Sequence, residues 1–186
     1  MFDNLRADFA RYAGASGAPL QRWKLARALL ETQGAWATAV YRFGRWSNEA
    51  APRPLRSACK AAYLVAFKAV ESLAGISLPS RARIGRGLYI GHFGGIIIHP
   101  DVVMGERCNI SQGVTIGVLG GPRDGVPRLG NDVYIGAGAK VLGDITIGDG
   151  AVIGANAVVL KDVPAGATAV GVPARVIVKK LSRAAG

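Results

Sequence analysis

The chain has 186 residues, half of them hydrophobic, which is enough apolar material to bury a core and too much for a disordered polymer. Its net charge of +11 is spread over both halves, with no nucleic-acid reading motif and no basic–aromatic platform. That excludes nucleic acid as the expected partner and leaves a small anionic ligand or an acidic membrane surface.

Twenty-six glycines against three tryptophans, five tyrosines and five phenylalanines suit a repeating backbone scaffold better than a globule packed around large rings. Cys59 and Cys108 lie far apart without CxxC or Cys/His ligand spacing, so neither a disulfide framework nor a metal site is expected. Asp3, Arg6, Asp8 and Arg11 interrupt any signal-peptide core. The longest apolar run, "ACKAAYLVAFKAVESLAG", holds Lys60, Lys68 and Glu71 and is a poor bilayer span, so a cytoplasmic location is expected.

Residues 1–75 read as a helical region. Trp23, Ala26, Leu29 and Leu30 fall on one helical face, and Trp36, Ala39, Val40 and Phe43 on a second, with Gly34 as the separator. "APRP" at 51–54 predicts a turn, and a further apolar helix follows over 55–74, ended by Gly75. Arg53, Arg56, Lys60 and Lys68 beside Tyr63, Leu64, Val65 and Phe67 give this helix a basic amphipathic character. That raises peripheral contact with an anionic inner membrane beside simple packing on the rest of the molecule.

From Ile84 the period becomes six: Ile84, Ile90, Ile96, Val102, Cys108 and Val114, then Leu129, Ile135, Val141, Ile147, Ile153, Val159 and Ala165. This predicts a parallel β-helix over 76–178, three hexapeptides to a coil. The aliphatic position and the residue four later, for example Leu88, Gly94, Val118 and Val133, are expected to point inward. The break "GVLGGPRDGVPR", 117–128, is too rich in glycine and proline for the coil and predicts an extruded, functional loop. Residues 179–186 form a short basic tail.

The only two histidines, His92 and His99, fall at outward positions of the repeat. The chain holds no His/Cys cluster, no GxSxG elbow and no GxxxxGK[ST] loop, which leaves no metal, acyl-serine or nucleotide-hydrolysis chemistry to argue. A histidine on a rigid wall, between the glycines of "GHFGG" that let a ligand approach the backbone, suits general-base activation of a substrate hydroxyl. His92 is the candidate catalytic base and His99 a candidate support, with Asp101 and Glu106 as acidic residues near it in sequence.

The motifs "IGRGLYIGH", "SQGVTIG", "IGAGAKVLGDITIGDGAVIGANAVV" and "VPAGATAVGVPAR", with "AVYRFGRW" ahead of them, resemble the hexapeptide-repeat acyltransferases and, within them, the serine acetyltransferase branch. The resemblance implies a left-handed β-helix preceded by a small helical region, a homotrimer with active sites between subunits, and acetyl-CoA as donor of an acetyl group passed directly to a hydroxyl. It puts His92 on the catalytic histidine and implies a CoA wall of Gly117, Ala137 and Ala139. Arg175, Lys161 and Lys179 are placed to meet the nucleotide phosphates.

The chain also departs from the serine-using pattern. Ser77 stands where an Asp orients the histidine, and Gly91 where an Asp contacts the acceptor. Gly125 and Val126 stand where an Arg-His pair precedes the proline, and no acceptor-binding Asp is found near Pro19. Its last residues, "SRAAG", lack the isoleucine that docks into cysteine synthase. The donor side is therefore expected intact. The charged groups for a zwitterionic acceptor are missing, and short members with "GHFGG" resemble acetyltransferases of polysaccharide assembly. A sugar hydroxyl is the expected acceptor, with L-serine as the alternative and a non-catalytic β-helix binding module as the distant one.

Overall fold

The computed structural model describes residues 2–13, 22–121 and 125–177. From Ile76 the chain winds into a left-handed parallel β-helix with three sheets as its walls. The first sheet holds β1 (Ile76–Ser77), β4 (Ile96–Ile98), β7 (Thr115–Gly117), β10 (Lys140–Leu142) and β13 (Val158–Val159). The second holds β2 (Arg83–Ile84), β5 (Val103–Met104), β8 (Arg128–Leu129) and β11 (Thr146–Ile147). The third holds β3 (Tyr89–Ile90), β6 (Asn109–Ile110), β9 (Tyr134–Ile135), β12 (Val152–Ile153), β14 (Thr168–Val170) and β15 (Arg175–Ile177). All neighbours pair in parallel except β15, which turns back antiparallel on β14 and closes the far end.

The core is a column in which like stacks on like: Ile90, Ile110, Ile135, Ile153 and Ala169 are in register down the third wall, all buried. Each fully buried aliphatic side chain of this kind contributes about 1.5–3 kcal/mol. The expectation of an unbroken six-residue series from Ile84 to Val114 is corrected here. Ile84 pairs with Met104 and Ile90 with Ile110, twenty residues on, whereas Ile98 pairs with Ile116, eighteen on. The first full coil carries two extra residues, between Ile90 and Ile96. Beyond them the inward partners of Ile96, Val102, Cys108 and Val114 are the residues two later, Ile98, Met104, Ile110 and Ile116. Val118, expected inside, is 41% exposed, and Ala165 lies on the surface.

The helical region sits on the first rung. It comprises α1 (Phe2–Tyr12), α2 (Arg22–Glu31), α3 (Gln33–Glu49), a 3-10 turn at Arg53–Leu55 and α4 (Arg56–Ala74), capped by left-handed Gly75. The expected apolar faces do not carry this docking. Trp23 and Leu30 are 57% and 81% exposed, and the buried side of α3 is Gly34, Ala35, Ala37, Thr38, Tyr41, Arg42, Gly44 and Ser47. The separator role of Gly34 is also corrected: it lies inside α3, where a Cβ would sit 2.3 Å from the Ile90 carbonyl oxygen. The helix thus approaches the strand at backbone distance.

Polar side chains dominate this contact because the first strand of each wall has a bare edge. The Ile84 amide donates to Tyr41 Oη (3.0 Å), whose hydroxyl donates to the Ala82 carbonyl (2.9 Å). The Leu88 amide donates to Asp8 Oδ1 and the Ile90 amide to Tyr12 Oη, both at 2.9 Å. Arg42 donates to Asp8 Oδ2 (2.7 Å) and to the Ile84 and Gly85 carbonyls. Burial raises the Asp8 carboxyl above its ordinary value, with Arg42 and the Leu88 amide pulling it back.

Candidate functional site

His92 and Phe93 are the two surplus residues of the first coil, set at the corner between the third and first walls. In the coils below, this corner is a tight turn closed by a residue of positive φ. Gly95, Gly113, Gly138 and Asn156 stack there at φ 66, 72, 74 and 56, beneath Gly75 at 62. The stack is backbone on backbone, with Gly113 N–H bonded to the Gly94 carbonyl at 2.8 Å and Gly94 N–H to that of Ala74 at 2.9 Å. Two extra residues above such a ladder have nowhere to go but outward. His92 and Phe93 are exposed, and His92 makes no hydrogen bond or ion pair among the described residues.

His99 lies at the other end of β4, so the chain holds its two histidines at opposite edges of the first wall. Its Nδ1 accepts the Asp101 amide at 3.2 Å, which leaves the proton of the neutral ring on Nε2 and makes that nitrogen a donor. Asp101 itself is paired with Arg81 at 2.8 Å. His99 stacks directly over Gly117, where a Cβ would stand 3.5 Å from that of His99.

An apolar groove of about 450 Å³ follows the first wall and gathers Phe67, Ser77, Ile97, His99, Gly117 and Val118. Glu71 also lines it. The Lys68 ammonium 2.6 Å away, and after it the Ser77 hydroxyl, hold the Glu71 carboxyl below its ordinary value. Sequence reasoning passed over Glu71, Thr115 and Lys140, whose Nζ donates to the Gly113 carbonyl (2.6 Å) and to Thr115 Oγ1 (3.1 Å). Thr115 and Lys140 are in register on the outward face of the wall, a signal that becomes readable once the two-residue slip is allowed for.

The residues expected to hold CoA divide between the two edges. Gly117 and exposed Lys161 lie at the loop edge, and half-buried Ala137 at the His92 edge. The carbonyls of Gly117 and Ala137 already accept the amides of Gly143 (2.9 Å) and Asn156 (2.7 Å). Ala139 departs from expectation. It is fully buried, its amide donates to Gly136 and its carbonyl accepts from Thr115, so it offers a ligand neither side chain nor backbone. Arg175 is exposed on β15, while Lys179 and the region of Pro19 lie outside the described residues. Among the described residues no group of His, Cys, Asp and Glu could hold a metal ion, and no helix is long and apolar enough to cross a membrane.

Of the two glycines that the resemblance to the serine-using pattern sets at acceptor positions, one has room for a side chain and the other does not. A Cβ on Gly91 would meet nothing closer than the Tyr89 ring at 3.4 Å, an ordinary contact. A Cβ on Gly125 would lie 2.4 Å from that of Asp144, because the loop re-enters the coil by packing its backbone there.

Comparisons with known proteins agree with this architecture. The family described as bacterial transferase hexapeptide (six repeats) matches residues 127–161. A serine acetyltransferase of Salmonella typhimurium is 38% identical over 157 residues, 84% of this chain and 55% of the relative. One from Synechococcus elongatus is 47% identical over 110 residues, 58% of this chain and 44% of the relative. The chain thus spans about half the length of the curated relatives it matches. The Brucella abortus serine acetyltransferase solved with coenzyme A superposes with a TM-score of 0.77 at 30% identity, over 95% of this chain and 67% of that one. The soybean apoenzyme gives 0.75 at 32% identity, over 94% and 68%. The coiled core and the helical region on its first rung thus superpose on proteins of one kind, and the chain belongs to the hexapeptide-repeat acyltransferases, in their serine acetyltransferase branch.

Proposed function

We propose that the protein is an acetyl-CoA-dependent O-acetyltransferase in which His92 is the general base. Neutral His92 takes the proton of the acceptor hydroxyl as its oxygen attacks the thioester carbonyl. The tetrahedral intermediate then expels the CoA thiolate, to which the imidazolium returns the proton. The observation that carries this reading is the outward, unpaired placement of His92 by two residues the coil does not need. The coenzyme A complex of the Brucella abortus relative supports acetyl-CoA as donor. His92 and Ala137 share one edge, and Gly117, Lys161 and the loop share the other. A site using both edges would be completed where one subunit's His92 edge meets another's loop edge, as in a homotrimer.

L-serine is the acceptor that the relatives favour, and it replaces a sugar hydroxyl as the first reading. The sugar remains the second, because Gly91 has room for the acidic side chain a serine ammonium would pair with and does not carry one. The test is thiol release from acetyl-CoA with L-serine and, in parallel, with nucleotide sugars and oligosaccharides. Turnover with serine at low concentration supports the first reading, and turnover with a sugar alone supports the second. His92→Ala is expected to lose roughly a hundredfold or more in kcat with an unchanged melting temperature. A nearly unchanged rate removes His92 from the mechanism. Absence of a thermal shift with CoA would favour a non-catalytic binding module.

A further inference from the structure

A polar cavity of about 760 Å³ lies away from His92, between the C-terminal half of α3 and the outer face of the second wall. Four arginines reach into it: Arg45 from α3, Arg81 and Arg83 from the first rung, and Arg128 just after the loop re-enters. Two carboxylates face them, and both are engaged, Glu49 by Arg45 and Asp101 by Arg81. Arg83 and Arg128 make no ion pair or hydrogen bond among the described residues. This is not the rule for outward arginines here, since at the next corner Arg86 is paired with Glu106, and Arg107 with Asp132.

Register fixes how the two free guanidiniums stand. Arg83 pairs with Val103 and Val103 with Arg128, so all three project from the same face with Val103 as a floor between the two cations. Their Cα atoms are two strand spacings apart, roughly 9–10 Å, a span that long arginine side chains close onto one bridging anion. Asn48 and Ser80, joined at 3.1 Å, add neutral polar groups at the rim.

We propose that this cleft is an anion-binding site for a diphosphate group, either as free pyrophosphate or as the diphosphate of an organic ester. Guanidinium forks match phosphate oxygens bidentately, and two forks on opposite sides suit two phosphoryl groups better than one. The cavity falls in the size range that holds a drug-sized ligand, so an ester has room for its organic part. The second wall is also the face least suited to burial against another subunit, because charged side chains are depleted from interface cores. The proposal does not depend on the acetyl-transfer reading.

The test is calorimetric titration of the whole protein with inorganic pyrophosphate at low salt, with orthophosphate and the diphosphate nucleotide UDP as separate arms. Saturable pyrophosphate binding is expected, weaker for orthophosphate, and weakened by added salt. UDP binding tighter than pyrophosphate assigns the site to an ester, and equal or weaker binding assigns it to the free anion. Arg83→Gln with Arg128→Gln should weaken binding roughly tenfold or more, while Arg86→Gln, an exposed arginine outside the cleft, should leave it unchanged. No saturable heat, or an affinity equal in the double variant and the parent, overturns the proposal. So does loss of the pyrophosphate signal when CoA is present at saturation, which would assign the anion to the donor's own site.

Discussion

Gly91 and Gly125 each stand where the serine-using pattern has a charged side chain, and the backbone treats them differently. At Gly125 the loop rests on Asp144 so closely that any side chain would displace it, and the absent arginine follows from how the loop is anchored. At Gly91 the Tyr89 ring at 3.4 Å is an ordinary contact, so the fold does not account for the missing carboxylate there. Gly91→Asp should leave the melting temperature within about 2 °C, since surface changes away from packed features cost little. If serine is the acceptor, it should lower the KM for L-serine by about tenfold, the scale of one charge-assisted hydrogen bond. Steady-state kinetics with serine varied checks both acceptor readings, because an enzyme of sugars would show no gain.

The elements show where sequence reasoning stops. A period of six is plain to read because an aliphatic residue must return each time the chain crosses a wall. The slip at His92 is hidden for the same reason: Ile96, Val102, Cys108 and Val114 also point inward, so one apolar series hands over to another without a break in composition. His92 stands out in the sequence because histidine is rare in the chain, whereas Arg83 and Arg128 are two arginines among many until register puts them on one face. In α3 the expected apolar faces misled because this helix docks on a strand edge, where small residues and hydrogen-bonding groups serve better than large hydrophobes. Gly34→Ala tests this directly. A methyl group 2.3 Å from the Ile90 carbonyl oxygen must push α3 off β3, and overpacking of this kind costs about 1–3 kcal/mol. A denaturant midpoint lowered with the slope unchanged is the expected result, and an unaltered midpoint would mean that helix and strand are not in contact in solution.

For the molecule as a whole, the buried Asp8–Arg42 pair joins the helical region to the coil. Removing one partner of such a pair leaves an uncompensated charge, so Arg42→Met should lose about 3–5 kcal/mol near neutral pH. Arg42 pulls the Asp8 carboxyl down against its burial, so its removal raises the folded-state value further above the unfolded one. A raised carboxyl costs stability once pH exceeds the unfolded value and costs nothing while it is protonated in both states. The deficit of Arg42→Met should therefore be largest at neutral pH and shrink below about pH 4, near the ordinary aspartate value. Equilibrium unfolding of both proteins across that range measures it, and a deficit that grew on acidification would contradict the pairing.

A coil of this kind is a template, because each rung offers the next a full set of amides and carbonyls, and nothing in the repeat itself says where to stop. Here one end is sealed by Tyr12, Asp8, Tyr41 and Arg42 reaching down onto the first rung, and the other by β15 running the wrong way for a further turn. The helical region thus acts as an end-stop against fibre growth as much as a platform for chemistry. A change that loosened it would be felt first as end-to-end association of otherwise intact coils, before any loss of the walls that carry His92.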